Sequence, residues 1–419
     1  MRIALVAENV SPLALHAQPA AGNDASRVIS LAHALAALGH RVNVYARRDS
    51  GTLPESAILA PRVTVEYVTA GPRTRLDAAR LLACLPEFGN HLAQRWRRNH
   101  PDLVHAHYWT AGLAALAGTR DLGVPVAQTF GSLGRTEQRH GMPGASDSRT
   151  RLEACIARSA DVVLASSTDE LAGLGRLGVP RAKVKVVPCG VDTGQFSPDG
   201  PAAKRGRRPR LIAAQPLTAA TSLRVAVRAL ADIPDAELVI MGGPGRSELS
   251  KDKTLRELVR IARKHGVQDR LVCTGRVAPD GLPALLRSAD LMVSTASYEP
   301  VGMTAIQAMA CGTPVVTCAA GAERDAVVDK ITGILAPAGD PAQLALRVRW
   351  LMANSLRLEA YGIAAADRAK SRYSWERIGR ETLAGYGYSA PLEAASTRRV
   401  QPGPGALRET RQASGGARA

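Results

Sequence analysis

Short apolar runs recur along this chain, and most are followed by a longer stretch with apolar residues at helical spacing. The first run, Met1-Arg-Ile-Ala-Leu-Val-Ala7, ends at Glu8. It is too short for a membrane span and carries no cleavage site, so it reads as a buried parallel strand. Periodicity then predicts a helix over residues 25–38, stopped by Gly39-His40, and a second strand over 41–46. Further strands are expected at 103–106, 124–129, 162–166 and 184–188, with a helix over 149–158. Repeated alternation of strand and helix implies a doubly wound parallel sheet that binds ligands at the carboxyl ends of its strands.

The pattern breaks at 189–210, where Pro198, Gly200, Pro201 and the basic run Lys204-Arg-Gly-Arg-Arg-Pro-Arg210 read as a linker. A second series follows, with strands at 211–214, 237–241 and 270–274 and a helix at 255–265. Strands at 291–294 and 315–317, a helix at 304–310 and a helix at 341–353 complete it. The expected fold class is therefore α/β, with two doubly wound Rossmann-like domains. No GxGxxG fingerprint follows the first strand, which argues against a dinucleotide oxidoreductase. From Pro391 onward the residues are mostly Pro, Gly, Ala, Ser, Thr and Arg, too few of them large and apolar to offset chain entropy, so 389–419 is expected to be a disordered basic tail.

Composition narrows the partners. A chain of 419 residues is long enough for two buried cores, and its net charge of +17 favours anionic ligands. Nucleotides, phosphorylated acceptors and lipid headgroups fit that charge, as does an Arg-rich but passive surface. Aromatics make up 4% of residues and no RNA- or DNA-binding module is recognisable, so no nucleic-acid partner is expected. The six cysteines form no CxxC pair and several lie in apolar runs, which suits buried thiols in a reducing cytoplasm. A cytoplasmic location, with peripheral contact to anionic membrane as a further option, is the expectation. His105 and His107 stand two apart with no carboxylate near them in sequence, so no metal is expected.

The candidate chemistry concentrates in Ser297-Tyr-Glu-Pro-Val-Gly-Met-Thr-Ala-Ile-Gln-Ala-Met-Ala-Cys-Gly-Thr-Pro-Val-Val316. Pro300 and Gly302 turn the chain after a strand, and a helix begins close behind. Its first amides, around Gly302, Met303 and Thr304, favour an anion such as a diphosphate. Taken alone, the same pattern also describes an ordinary βαβ unit with packing glycines.

The segment resembles the donor-binding signature of retaining nucleotide-sugar glycosyltransferases with the GT-B fold. There an acidic residue and Pro-aromatic-Gly open a helix that carries a second acidic residue. Other stretches resemble the sucrose-phosphate-synthase-like group, which includes the inositol-phosphate glycosyltransferases of mycothiol synthesis. They include the opening Met1-Arg-Ile-Ala, Ser11-Pro-Leu-Ala14, Ala36–Asp49, Pro101–Trp109, Ser132–Glu137, Pro188–Asp192 with Phe196-Ser-Pro198, and Ser371–Glu376. The likeness extends to about Tyr388.

The resemblance implies an acceptor-side domain over 1–192, a linker over 193–210 and a donor-binding domain over 211–372, with a cleft between the domains. A helix over 373–388 would cross back to the first domain. It further implies retaining sugar transfer from a nucleotide sugar to a small-molecule or lipid-linked acceptor, with no metal or other cofactor. Glu299 would hold the donor sugar and organise the transition state; Gly22, Gly302, Met303 and Thr304 would meet the diphosphate or sugar. Gln307 would face the ribose and Arg276 and Val277 the base, while His107, Tyr108 and Arg135 would lie on the acceptor side.

Several positions depart from the pattern. The family's paired glycines near the first helix become Gly22-Asn23, and the acceptor-side histidine becomes Gly131. The Arg and Lys that grip the diphosphate are matched by Pro216 and Thr221, and the second acidic residue by Gln307. A charge-assisted hydrogen bond contributes about 1.5–3 kcal/mol, so losing two phosphate cations costs several kcal/mol. Arg224, Arg246 and Lys251 are the candidates to substitute. The alternative reading is a weak or inactive homologue that binds a nucleotide sugar or a protein.

Overall fold

The computed structural model describes residues 1–9, 22–142, 146–215, 217, 220–318 and 320–388. The Ser11–Ala14 turn, Pro216 and the tail from Pro391 lie outside the described residues. The first half runs β1 (Arg2–Val6), α1 (Gly22–Ala37), β2 (Arg41–Arg47), β3 (Ser56–Ala60), β4 (Val63–Val68), α2 (Ala78–Arg98) and β5 (Leu103–His107). It continues through α3 (Trp109–Thr119), β6 (Val126–Thr129), α4 (Gly134–Arg139), α5 (Asp147–Ser159), β7 (Val162–Ala165), α6 (Thr168–Arg176) and β8 (Val184–Val186). These strands form one sheet in the order β3-β4-β2-β1-β5-β6-β7-β8, parallel except for the β3–β4 pair.

The second half begins with β9 (Arg210–Ala213), α7 (Ala220–Ala229), β10 (Glu237–Ile240), α8 (Lys253–Lys264), β11 (Leu271–Cys273), α9 (Leu282–Arg287) and β12 (Leu291–Ser294). After it come β13 (Tyr298–Glu299), α10 (Met303–Ala310), β14 (Val315–Thr317), β15 (Ala320–Gly321), α11 (Ala322–Ala326) and β16 (Gly333–Leu335). The last helices are α12 (Pro341–Met352), α13 (Ser355–Tyr373) and α14 (Trp375–Gly385). The second sheet is parallel throughout, in the order β11-β10-β9-β12-β14-β16, while β13 and β15 form a separate two-stranded ladder. Both sheets reverse strand order at the middle, between β1 and β5 and between β9 and β12. Ligands of such sheets bind outside the carboxyl ends of the strands at that reversal.

Each sheet is covered on both faces, which is why its strands read as continuous apolar runs. Several elements escaped the sequence pattern, three of them instructive. The hairpin β3–β4 lacks a helix between its strands and caps the edge of the first sheet. Helix α2 contains Pro86, which masks its periodicity, yet Leu81, Leu85, Phe88, Leu92 and Trp96 form one buried face. Helix α13 is rich in small and basic residues, so its buried stripe of Tyr361, Ala365, Ala369 and Tyr373 carries little hydrophobic contrast.

Helix α14 returns to the first domain. Ile378 and Leu383 are buried there, and Leu383 packs in the same core as Leu5, Val28 and Leu35. Tyr386 reaches further, its hydroxyl bonded to His105 Nδ1 at 2.7 Å. Leu383→Ala should therefore destabilise the first domain by about 2–5 kcal/mol, read from denaturant unfolding. A change confined to the second domain would contradict that packing. Among the described residues no helix is long and apolar enough to cross a membrane, and all six cysteines are unpaired.

Candidate active site

Glu299 sits on the short β13 strand, half-buried, beside the contact between the two domains. Its Oε1 accepts from the amides of Val301 and Gly302, each at 3.3 Å, so the carboxylate folds back over the turn that starts α10. Gly302 makes that turn in the left-handed region, with φ of 68°. Beyond it, Met303 is buried, while Thr304 and Gln307 are half-exposed. Three residues apart on a helix, these two share one stripe. Helix geometry leaves the amides of Met303, Thr304 and Ala305 without intrahelical partners, at the positive end of the helix dipole.

The β13–β15 ladder holds this loop in place. Tyr298 pairs with Ala320 and Glu299 with Gly321. Gly321 has φ of 86°, and a Cβ there would stand 2.5 Å from the Glu299 carbonyl oxygen. Gly321→Ala should push the two segments apart, costing on the order of 1–3 kcal/mol in backbone strain alone. Thermal unfolding and ligand binding should both suffer; an unperturbed variant would show that the ladder tolerates the added methyl by moving apart freely.

Among the described residues, the first domain meets the loop at Tyr298 and the neighbouring α11 at Asp325. The His140 ring stacks on Tyr298, with centroids 4.8 Å apart and planes inclined by 10°. Thr168, at the start of α6, donates from its amide and hydroxyl to the Asp325 carboxylate of α11, at 2.7 and 2.6 Å. The neighbourhood is acidic. Burial raises the pKa of Tyr298, and the charges of Glu170, Asp169, Glu137 and Glu299 raise it further. Arg149 lies between Glu137 and Glu153, 2.7 Å from each, and fixes α4 against α5.

Other sequence candidates lie elsewhere. His107 is 3% exposed at the end of β5, its ring tilted on His105 at 4.1 Å, and neither of its ring nitrogens has a hydrogen-bond partner among the described residues. Burial first, then the neighbouring His105 and Arg27, lowers its pKa well below the usual value, so the ring is neutral. It lines a small cavity with Arg27, His105, Thr129, Ser166 and Trp375, beneath α1 and α14. Tyr108 links β5 to α3 with a positive φ of 75°, unusual for a bulky residue, and the Arg27 guanidinium lies 5.7 Å from its ring centroid. That guanidinium also lies 3.2 Å from where a Cβ on Gly131 would stand, so it fills space that a side chain there would need.

Arg135 is exposed on α4 and Gly22 is the first residue of α1. Arg276 is exposed after β11, with its amide bonded to the Pro244 carbonyl, and Val277 is half-buried beside it. Of the candidate substitute cations, Arg224 is held by Glu257 at 2.9 Å, while Arg246 and Lys251 are exposed. Thr221 is exposed in the first turn of α7. Among the described residues no group of three or more His, Cys, Asp or Glu could hold a metal ion. Sequence reading missed Tyr298 as a contact between domains and Glu323 as a second carboxyl behind Glu299. The one signal for Glu323 was an acidic residue just past the end of a strand.

Comparison with known proteins agrees with this architecture. The model described as Glycosyltransferase Family 4 matches residues 25–195, and that described as Glycosyl transferases group 1 matches residues 202–368. The D-inositol 3-phosphate glycosyltransferase of Geodermatophilus obscurus is 32% identical, covering 96% of this chain and 92% of its own. Sucrose-phosphate synthase from Thermosynechococcus elongatus superposes with a TM-score of 0.81 at 25% identity, over 92% of this chain and 98% of its own. Anabaena HepE, solved in complex with UDP and glucose, shares the fold at 19% identity and a TM-score of 0.71, over 92% of this chain and 99% of its own. Two sheets of Rossmann-like order, a candidate carboxylate beside their contact and relatedness over nearly the whole length place this chain in glycosyltransferase family 4, with the GT-B architecture.

Proposed function

We propose that the protein transfers a sugar from a nucleotide-sugar donor to a hydroxyl of a small acceptor, with retention of configuration. The observation that carries this reading is the placement of Glu299 beside the first amides of α10, at the contact between the domains. In this reading the amides of Met303, Thr304 and Ala305 hold the leaving diphosphate, Glu299 holds the sugar hydroxyls, and Gln307 hydrogen-bonds the ribose from the same stripe as Thr304. Arg276 and Val277 border the base. The acceptor enters from the first domain, near Tyr108 and Arg135, and an inositol phosphate is the first acceptor to try because a relative is named for that substrate.

A second reading, a weak or inactive homologue that still binds a nucleotide sugar, is favoured by one observation. Arg224, the nearest cation to the exposed Thr221 in sequence, is already paired with Glu257. Titrating nucleoside diphosphates and their sugars by calorimetry, then assaying transfer to inositol phosphates with analysis of the product anomer, separates the readings. Binding with transfer supports the first and binding alone the second. No binding of any nucleotide sugar would end both.

A further inference from the structure

Glu323 is a second carboxyl at this site, and the reaction proposed above gives it no role. Its side chain is 3% exposed, and its Oε2 accepts from Thr317 Oγ1 at 2.7 Å. Thr317 ends β14, and Ser294, whose hydroxyl also favours the ionised form of Glu323, ends β12. The carboxyl therefore rests on the carboxyl ends of two adjacent central strands. Backbone contacts bring it behind Glu299: the missing Cβ of Gly302 would stand 3.1 Å from the Glu323 nitrogen, and that of Gly321 2.5 Å from the Glu299 carbonyl. The Glu299 turn and the Glu323 turn thus press together at two glycines, with the Ala322 methyl and the edge of the Tyr298 ring packed at the same contacts.

A buried carboxyl that also faces the charge of a second carboxylate ionises less readily. Burial is the larger influence on Glu323 and the charge of Glu299 the second; together they push its carboxyl up to about 7. No cation among the described residues offsets this. The other titratable groups around the pair are the Cys318 thiol, itself raised partly by Glu323, and Asp325 on the same helix, bonded to Thr168. Asp169 and Glu170 of α6 act on Tyr298, next to Glu299.

We infer that Glu323 is a positioning residue for Glu299: as the uncharged member of the pair it leaves a single negative charge behind the α10 turn, where the donor diphosphate binds. This inference rests on the proposed donor site. When Glu323 loses its proton, two carboxylates face the incoming diphosphate and affinity falls. The donor site is thereby tuned by pH through a residue that does not touch the donor.

The test is calorimetric titration of UDP-glucose into the full chain between pH 6 and 8.5, comparing the parent with Glu323→Gln and Thr317→Val. Parent affinity should drop about tenfold across this range, because one lost proton is linked to binding. Glu323→Gln keeps the acceptor oxygen but cannot ionise, so its affinity should stay within about twofold throughout. Thr317→Val keeps Glu323 but removes a bond to its charged form, so the fall should move to higher pH. Parallel profiles for parent and Glu323→Gln would overturn this inference while leaving the proposed function intact. If UDP-glucose and every other nucleotide sugar fail to bind the parent, the proposed function falls and this inference falls with it. Melting curves check that each variant is folded.

Discussion

Glu299→Ala should abolish sugar transfer and leave the fold standing. Glu299 belongs to none of the apolar clusters and is half-buried, so its removal opens no large cavity. Its carboxylate does two things that the variant loses. It accepts from the Val301 and Gly302 amides, which orders the turn before α10, and it presents negative charge where sugar hydroxyls would bind. A charge-assisted contact contributes about 1.5–3 kcal/mol, and disorder of the turn adds to the loss. A combined loss of about 4 kcal/mol in the transition state is roughly a thousandfold in rate. Initial rates at saturating donor should fall by at least that factor, while the melting temperature moves by only a few degrees. A variant with substantial transfer would show that another group does the chemistry. Glu299→Gln, which retains an acceptor oxygen for the two amides, should bind donor better than Glu299→Ala yet remain slow.

The second large effect is on stability against pH. Glu8, Glu170 and Glu323 are each pushed from 4.5 up to about 7, chiefly by burial. A carboxyl whose pKa is higher in the folded state must be held neutral or ionise in a dry site. Its contribution to stability is complete below pH 4.5 and is lost as pH rises to about 7. Moving a pKa by one pH unit on folding corresponds to about 1.4 kcal/mol, so each group weakens the fold by on the order of 3 kcal/mol once pH exceeds 7. Buried His105, pushed down to about 3, and His107, lowered well below its usual value by burial and then by His105 and Arg27, act in the opposite sense. Both must be neutral in the fold, so their contribution is complete above pH 6.5 and is lost as pH falls below it. Glu170→Gln isolates one carboxyl, because an amide oxygen can still accept from the Ser166 amide as the carboxylate now does at 2.6 Å. This variant should be more resistant to urea than the parent at pH 8 and no more resistant at pH 4.5. Equal gains at both pH values would mean that packing, and not ionisation, explains the change.

Much of this architecture is legible along the chain because a parallel sheet covered on both faces needs strands apolar on both sides. Runs such as Ile3–Ala7 and Leu291–Val293 declare themselves without knowledge of their neighbours. Glycine and proline placement likewise made the turn before α10 legible, and with it Gly302 and the helix amides; the resemblance to the donor signature added Glu299. Residues whose role depends on a distant partner were not. Trp96 and Phe88 look ordinary beside Pro86 and a run of arginines until α2 packs across the sheet. Gly131 reads as a missing histidine until the Arg27 guanidinium is found beside it. His107 reads as an acceptor-side residue, and only the fold shows that β5 and α14 enclose its ring. Glu323 carries no local signal beyond an acid after a strand. Local pattern thus determined the elements and the turn before α10, because both follow from period and turn chemistry, while Glu299 was singled out by the family resemblance. Only the tertiary structure decided which charges are paired, buried or back to back, because those relations form between segments far apart in the chain.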